Sequence, residues 1–535
     1  MTSPDQGPTR RKQEKTVKTT IIAALAIFIA QAAQAGTVSI YHTGDVHGWY
    51  SARPAKWDKE NPSRMIGGFP ALASLLKSEK NPYILLDSGD MFQGTPEGNL
   101  TRGMATVELM NRLGYSAATV GNHEYDYAEA SLRAMVSSAS FTLLGANVYV
   151  KETGERPDYL KPYVLLERGG KKIAVLGLAG EHTTTSTLPL NVKHLEFRDE
   201  AGEAARWMKE IRGLKPDAVV VLAHFGICGR FNSQKVDVST WTYSELRSRC
   251  GGGGTLAVAR AAEGIDVVLG SHNHTGLLRG YYDKQSSTLL GESFYGLTDV
   301  TRVDLDFDDK TGKLKGARAE LLPLWTDVTG EDATVKEAIA AFSSEVDREM
   351  DKELGEAASD LGYSVEGLDS AVGNWMTDAM RAHAGADIAF QNTAGIRSEI
   401  KKGPVRMREI YQVMPFENTL VTVRMTGAQI EKLLRDNLSG GKARLQVSGL
   451  KVSFTPRKDG RMILERDGRA VKPGDKFLVV TNNYLTTGGT GGAAFSEGEQ
   501  LTDTMIPVRD ALIESVKKAG VISAPADAGR ITRLE

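Results

Sequence analysis

The sequence predicts an α/β protein built as two bodies. Three observations carry this expectation: short apolar runs that alternate with helical patterns, polar clusters placed directly after those runs, and an Ala-rich charged stretch that divides the chain. The runs Val38-Ser39-Ile40, Ile84-Leu85-Leu86, Ile173-Ala174-Val175-Leu176, Val219-Val220-Val221-Leu222 and Val267-Val268-Leu269 have the length and composition of buried strands. Loops leaving such strands converge on one end of a sheet, so the polar residues that follow them can share a site. Residues 36–330 are therefore expected to form one body. The stretch 331–357 has no Pro, and no Gly between Gly330 and Gly355, which predicts a solvent-exposed linker helix. Residues 358–535 form the second α/β body, with strands near Ile388-Ala389-Phe390, Leu420-Val421-Thr422-Val423 and Phe477-Leu478-Val479-Val480. Its loop Gly488 to Gly492 is neither a Walker A nor a dinucleotide loop, because no Lys-Ser/Thr and no helix opening follow.

Composition sets the class. At 535 residues the chain is too long for one ordinary core. With 41% hydrophobic and 25% charged residues it is excluded from the disordered, collagen-like and polytopic membrane classes. Lys plus Arg number 65 against 67 Asp plus Glu, a balance without the global field that captures a nucleic-acid polymer. Arg10, Arg11, Lys12, Lys15 and Lys18 precede the apolar run 21–30, and Ala33-Gln34-Ala35 supplies a small-residue cleavage site. Residues 1–35 thus read as a signal peptide, too short in its apolar part for a membrane span, and the mature chain is expected to be periplasmic or secreted with no stable membrane span. The two cysteines, Cys228 and Cys250, suit a single disulfide in an exported chain or a pair of buried thiols. They are too few for a thiolate zinc site.

Five of the nine histidines fall in short polar clusters after predicted strands. These clusters are Gly44-Asp45-Val46-His47, Gly89-Asp90, Gly121-Asn122-His123-Glu124, Ala223-His224 and Gly270-Ser271-His272-Asn273-His274. On an extended backbone Asp45 and His47 point the same way, as do His272 and His274, so each pair can grip one ion. Carboxylate and amide oxygens with imidazole nitrogens, and no thiolate, suit Mn, Fe, Zn or Co. The set is large enough for two divalent ions sharing a bridging carboxylate, the usual clamp for displacement at phosphorus. His42, His182, His194 and His383 lack such a setting and read as ordinary surface or core residues.

In this order the clusters resemble those of the calcineurin-like metallophosphoesterases. Together with Asn392-Thr393-Ala394-Gly395-Ile396-Arg397, Pro415-Phe416-Glu417-Asn418-Thr419-Leu420 and Asn483-Tyr484-Leu485-Thr486-Thr487-Gly488-Gly489, the mature chain resembles a secreted 5′-nucleotidase of the UDP-sugar hydrolase type. The resemblance implies a four-layer metallophosphoesterase sandwich, a linker helix and a C-terminal α/β substrate-binding domain. It implies that Asp45, His47 and His274 hold one ion, that Asn122, His224 and His272 hold the other, and that Asp90 bridges. His123, oriented by Asp126, would act on the phosphate or the leaving group, with a metal-activated hydroxide as nucleophile. Asn392, Arg397, Phe416 and Asn418 would meet a small nucleotide or related phosphoester, Arg397 at the phosphate and Phe416 as one of two rings around the base.

The sequence departs from the family pattern in places. The glycine loop reads Gly488-Gly489-Thr490-Gly491-Gly492, without the usual Asp and the aromatic residue after it, and Phe495 is the nearest replacement for the second ring. Glu366-Gly367-Leu368-Asp369-Ser370 stands where the family carries an arginine, and Ala394 replaces a glycine. These changes leave the metal chemistry intact and bear on the substrate. A 2′,3′-cyclic nucleotide phosphodiesterase and a nucleotide-sugar pyrophosphatase share the same centre. The intact Gly121-Asn122-His123-Glu124 argues against a thiosulfohydrolase. A metal-bearing surface binding protein without turnover is the alternative from another class; His123 with Asp126 speaks against it.

Overall fold

Alternation of apolar side chains along the strands decides how the N-terminal body is layered. The computed structural model describes residues 36–363, 368–438, 442–457 and 460–534. The expected signal peptide and the Glu366-Gly367 departure lie outside the described residues. In chain order the main strands are β1 (Thr37–Thr43), β2 (Tyr83–Asp87), β3 (Ala117–Thr119), β4 (Thr142–Leu144), β5 (Tyr163–Arg168), β6 (Lys171–Leu178), β7 (Ala218–Ala223), β8 (Val267–Gly270), β9 (Tyr281–Asp283), β10 (Thr288–Glu292), β11 (Asp299–Phe307) and β12 (Leu314–Pro323). They form two six-stranded sheets, ordered β12-β11-β1-β2-β3-β4 and β9-β10-β8-β7-β6-β5. Val38 and Ile40 of β1, Ile84 and Leu86 of β2, Val220 and Leu222 of β7 and Val267 and Leu269 of β8 meet in one core between the sheets. The alternate positions face outward. Tyr41 and Leu85 join a second core with the helices Phe69–Ser78, Met104–Leu113 and Ala128–Ser138. Val219, Val221 and Val268 join a third, with the helices Glu200–Gly213 and Thr255–Ala261. The result is a helix–sheet–sheet–helix sandwich, the four layers that the resemblance implies.

The parallel strands β1, β2, β3, β6, β7 and β8 carry the chain towards one end of the sandwich, and every metal-type cluster lies just beyond that end. Gly89 and Gly121 let two of these loops cross at contact distance. A Cβ on Gly89, whose φ is +91°, would lie 2.5 Å from the Gly121 nitrogen, and one on Gly121 would lie 2.4 Å from Asp90 Oδ1.

The linker helix is shorter and less exposed than expected. It runs Ala333–Met350, capped by Asp332, whose carboxylate accepts the Val335 N–H. Val335 and Ile339 pack into the N-terminal core, and Val346 and Met350 are also buried. Residues 353–357, expected at the end of this helix, form the strand Glu353–Ala357, which pairs with Gly403–Arg406 and Val521–Ile522 of the second body. Glycine at 355 favours that extended path over another helical turn.

The second body is built on a five-stranded sheet of β13 (Ile388–Asn392), β14 (Thr419–Thr426), β15 (Leu445–Ser448), β16 (Lys476–Asn482) and β17 (Glu499–Pro507), in the order β15-β13-β16-β14-β17. Ile388, Phe390 and Val423 pack on one face against the helix Gly427–Asn437. Ala389, Leu420 and Val480 pack on the other against Ala371–Ala384 and Val508–Ala519. Direct bonds join the two bodies: Asn99 Nδ2 donates to the Pro415 carbonyl at 2.6 Å, and Arg408 reaches both Glu97 and Asp347.

Cys228 and Cys250 are bridged across a separation of 22 residues. Replacing Cys250 with Ser is expected to lower stability in urea by about 3 kcal/mol, the loop-closure value for such a separation. An unchanged unfolding midpoint under non-reducing conditions counts against the bridge.

Candidate metal centre and substrate cavity

The candidate ligands converge through an uncommon backbone geometry. Asp45, His47, Asp90, His272 and His274 have φ of 51°, 52°, 56°, 70° and 53°, in the left-handed region. The expected extended alternation is therefore not how the pairs are aimed. Each of these five instead sits in a left-handed bend in the loop that follows its strand, whereas Asn122 is right-handed at φ −78°. Such residues cost of order 1–3 kcal/mol each and persist where surrounding bonds over-determine them.

Those bonds are present. Glu124, fully buried, accepts N–H groups from Asp90 at 3.0 Å, Met91 at 2.9 Å and Gly121 at 2.6 Å, which ties the loop after β2 to the loop after β3. Asp87 accepts from Thr43 Oγ1 and from the Gly89 N–H. Asp45 takes the His272 N–H on its carboxylate, and the Gly89 carbonyl accepts the Asp45 N–H. Sequence reasoning placed Glu124 inside a quoted cluster without giving it a role. The glycines flanking the Asp90 and Asn122 loops were the signal that the two backbones had to be pinned together.

The donor atoms face one another. His47 Nδ1 lies 2.6 Å from the Gln93 carbonyl, so its hydrogen is held there and Nε2 faces His274 Nε2 at 2.9 Å. His224 Nδ1 lies 2.7 Å from the Ser88 carbonyl, and its Nε2 faces Asp90 Oδ2 at 3.1 Å and Asn122 Oδ1 at 3.2 Å. Asn122 spends its Nδ2 on the Ser186 carbonyl, which turns the amide oxygen inward. Four groups of donors lie within 4.8 Å of one another: Asp45 with His47 and His274; Asp45 with Asp90 and His224; His47 with Asp90 and His123; and His182 with His224 and His272. Asp90 belongs to groups on both sides, as a bridging carboxylate would.

Divalent ions fit this arrangement. Imidazole Nε2 atoms whose Nδ1 hydrogens are already bound to carbonyls turn lone pairs towards amide and carboxylate lone pairs, and a cation between them reconciles the repulsion. Electrostatics agree. Burial pushes His47 down to about 3 and holds His272 and His274 well below the usual imidazole value, so they are neutral and able to ligate. Burial also acts to lower His224, but Asp90 and Asp45 outweigh it and push it up to about 10. The carboxylates thus call for positive charge at this point. Burial opposes ionisation of Asp90 itself, yet His224 and His123 hold its carboxyl well below the usual range.

His123 lies beside these donors and is paired with a carboxylate of its own. Its Nδ1 is 2.6 Å from Asp126 Oδ2, and Asp126 is held by Thr187 Oγ1 at 2.7 Å, leaving His123 Nε2 3.9 Å from Asp90 Oδ2. Burial acts to lower this imidazole, while Asp126 and Asp90 overcome it and push it up to about 9.

A cavity of about 320 Å³ opens over the centre between the two bodies. Asn122, His123, Asp126 and His272 line it from the first body; Asn392, Arg397, Phe416, Asn418 and Tyr484 line it from the second. The Arg397 charge disfavours protonation of His47, His123 and His274, which places its field on the centre. The half-buried Phe416 ring stacks near His123, with centroids 6.0 Å apart. Phe495, expected as the second ring, is not in the cavity. It is fully buried in the C-terminal core, 6.2 Å from Phe390. The glycine loop forces this: a Cβ on Gly492 would come within 1.8 Å of the Leu485 carbonyl oxygen, so the loop folds tightly onto the helix Asn483–Thr486 and turns Phe495 inward. Tyr484 lines the cavity instead, its hydroxyl donating to the Thr185 carbonyl at 2.6 Å across the domain boundary. Two further residues were given no role at the centre by the sequence. Tyr295 stacks on His274 at 4.6 Å, and His182, expected to be ordinary, stacks on His272 at 3.6 Å.

Comparison with known proteins follows the same division. Residues 38–276 match the calcineurin-like phosphoesterase family and residues 353–497 match the 5′-nucleotidase C-terminal domain. The trifunctional nucleotide phosphoesterase protein YfkN of Bacillus subtilis is 29% identical over 93% of this chain, which spans only 35% of that protein's length. Protein UshA of Escherichia coli is 26% identical over 85% of this chain and 86% of its own. The crystal structure of a 5′-nucleotidase precursor from Thermus thermophilus, 27% identical, superposes with a TM-score of 0.76 over 93% of this chain and 99% of that one. The chain thus joins a calcineurin-like phosphoesterase domain to a 5′-nucleotidase C-terminal domain.

Proposed function

We propose that the protein is a metal-dependent phosphoester hydrolase that releases phosphate from nucleoside 5′-monophosphates. The observation that carries this reading is the gathering of donors around Asp90 beside a cavity lined by Asn122, His123 and His272 on one side and by Arg397, Phe416 and Tyr484 on the other. Asp45, His47 and His274 would hold one ion and Asn122, His224 and His272 the other. When bound, such ions supply Lewis-acid charge and lower the pKa of attacking water.

The side chains of the chain do the rest. Arg397 offers a planar fork of donors to phosphoryl oxygens. His123, with Nδ1 fixed on Asp126, carries its exchangeable proton at Nε2, where it can neutralise a phosphoryl oxygen or protonate the leaving alkoxide. Phe416 and Tyr484 give the base aromatic walls, and Asn392 and Asn418 give it polar partners. YfkN, named a trifunctional nucleotide phosphoesterase, supports this substrate class. We further propose export through the leader 1–35. The Cys228–Cys250 bridge suits an oxidising compartment, and among the described residues no helix is long and apolar enough to cross a membrane. Domain limits of 36–330 for the catalytic body and a second body starting at the strand Glu353–Ala357 follow the same reading.

The deciding assay is product analysis on the mature protein reconstituted with divalent ions, offered 5′-AMP, 2′,3′-cyclic AMP and UDP-glucose beside a chelated control. Phosphate and adenosine from 5′-AMP, lost on chelation, are expected; no turnover with ions verified in place overturns the reading. His123→Ala is expected to lower kcat by ~10²–10⁴-fold with metal content unchanged, by steady-state kinetics and elemental analysis. An unaltered kcat removes His123 from the chemistry. Glu124→Ala leaves three N–H groups without their acceptor, at about 1–3 kcal/mol each. Both its unfolding midpoint and its metal affinity are expected to fall, and wild-type values in both would show that the loops are held by other means.

A further inference from the structure

We propose that His182 is a third imidazole donor on the His224–His272 side of the centre, giving that ion a nitrogen-rich site. The inference rests on the metal centre described above. Three neighbouring parallel strands of the second sheet, in the order β8-β7-β6, each end beside a histidine: His272 after Gly270, His224 after Ala223 and His182 after Leu178. One nitrogen from each of the three lies within 4.8 Å of the others. The His182 and His272 rings stack at 3.6 Å with 29° between planes, and His182 lies 5.9 Å from the His224 ring.

Two observations separate a donor from a ring that merely packs. His182 Nε2 is buried and has no hydrogen-bond partner among the described residues, an uncommon state for a buried polar atom that calls for an occupant. The chain also clears the space that brings the ring there: a Cβ on Gly180 would lie 2.0 Å from His182 Cε1 and 2.4 Å from its Nδ1. Glycine at 180 thus lets the imidazole fold back over its own loop onto His272.

A third imidazole alters which ion the site prefers. With Asp90 and Asn122 supplying oxygen and three histidines supplying nitrogen, the donor set moves away from Mg and Mn and towards Zn, Co, Ni or Fe. The Asp45, His47 and His274 side keeps a more oxygen-weighted character with Asp90. The two positions therefore differ in metal selectivity.

The test strips the full mature chain of metal and titrates it with Co²⁺, reading visible absorption and competition with a chromophoric chelator. Wild type is expected to take up two ions. His182→Ala and His182→Phe are both expected to bind one ion as wild type does and the other roughly 10–100-fold more weakly, with a changed Co²⁺ spectrum for that ion only. Gly180→Ala, which displaces the ring, is expected to do the same. Phe preserves stacking on His272 but cannot ligate, so wild-type affinities in His182→Phe overturn the proposal and leave His182 a packing residue. Loss of both affinities together marks a collapsed loop and also counts against direct ligation. A wild-type chain that binds no ion overturns the metal centre itself, a failure distinct from the others.

Discussion

The carboxylate of Glu124 is the constraint on which the site depends. Its oxygens hold the backbone at Asp90, Met91 and Gly121, so the loop after β2 and the loop after β3 behave as one piece. Without that tie nothing in the sheet registers fixes Asp90 relative to Asn122 and His123, since β2 and β3 pair over only two residues. The strain of the left-handed Asp90 is sustained by these bonds, and that of Asp45, His47 and His272 by the backbone and carboxylate bonds that tie them to Gly89, Asp90 and Asp45. Rigid sheets bring the strand ends to one place, and the buried carboxylate converts proximity into geometry.

Around that frame the two bodies divide the work. The first supplies donors from both sheets and the His123–Asp126 pair; the second supplies a guanidinium and aromatic surface to a shared cavity. The Tyr484 hydroxyl and the Asn99 amide each cross the boundary to a carbonyl of the other body. These two polar contacts and the Phe416 ring stacked near His123 hold the cavity walls in register.

Much of this was legible in the sequence, and the exceptions have physical causes. The β-branched runs of β1, β2, β6, β7 and β8 gave strands where they were expected, because alternate positions face different cores. Asp45, His47, Asp90, Asn122, His224, His272 and His274 came together because residue type and placement after strands are local properties. Backbone sign is not: nothing in Asp-Val-His announces a left-handed bend. His182 was missed because its neighbours 183–187 are uncharged Thr and Ser, and only the glycine two positions earlier hinted that its ring folds inward. Phe495 was misread because its fate is set by a glycine three residues away that packs on a carbonyl distant from it in the loop. The linker helix ended early because Gly355 sits in a strand whose partners lie some fifty and one hundred and seventy residues further on.

The spread of the donors along the chain has a consequence for assembly. Asp45 is the first and His274 the last, so no fragment emerging early in synthesis holds more than part of the centre. The nitrogen and oxygen atoms become a trap only when both sheets have closed on their common core and the left-handed loops have been pinned. A complete donor set therefore exists only once the chain has folded, and the ions it can draw on are those present where folding finishes. Cofactor identity in such a protein is a record of address, inherited from the compartment as much as from the ligands.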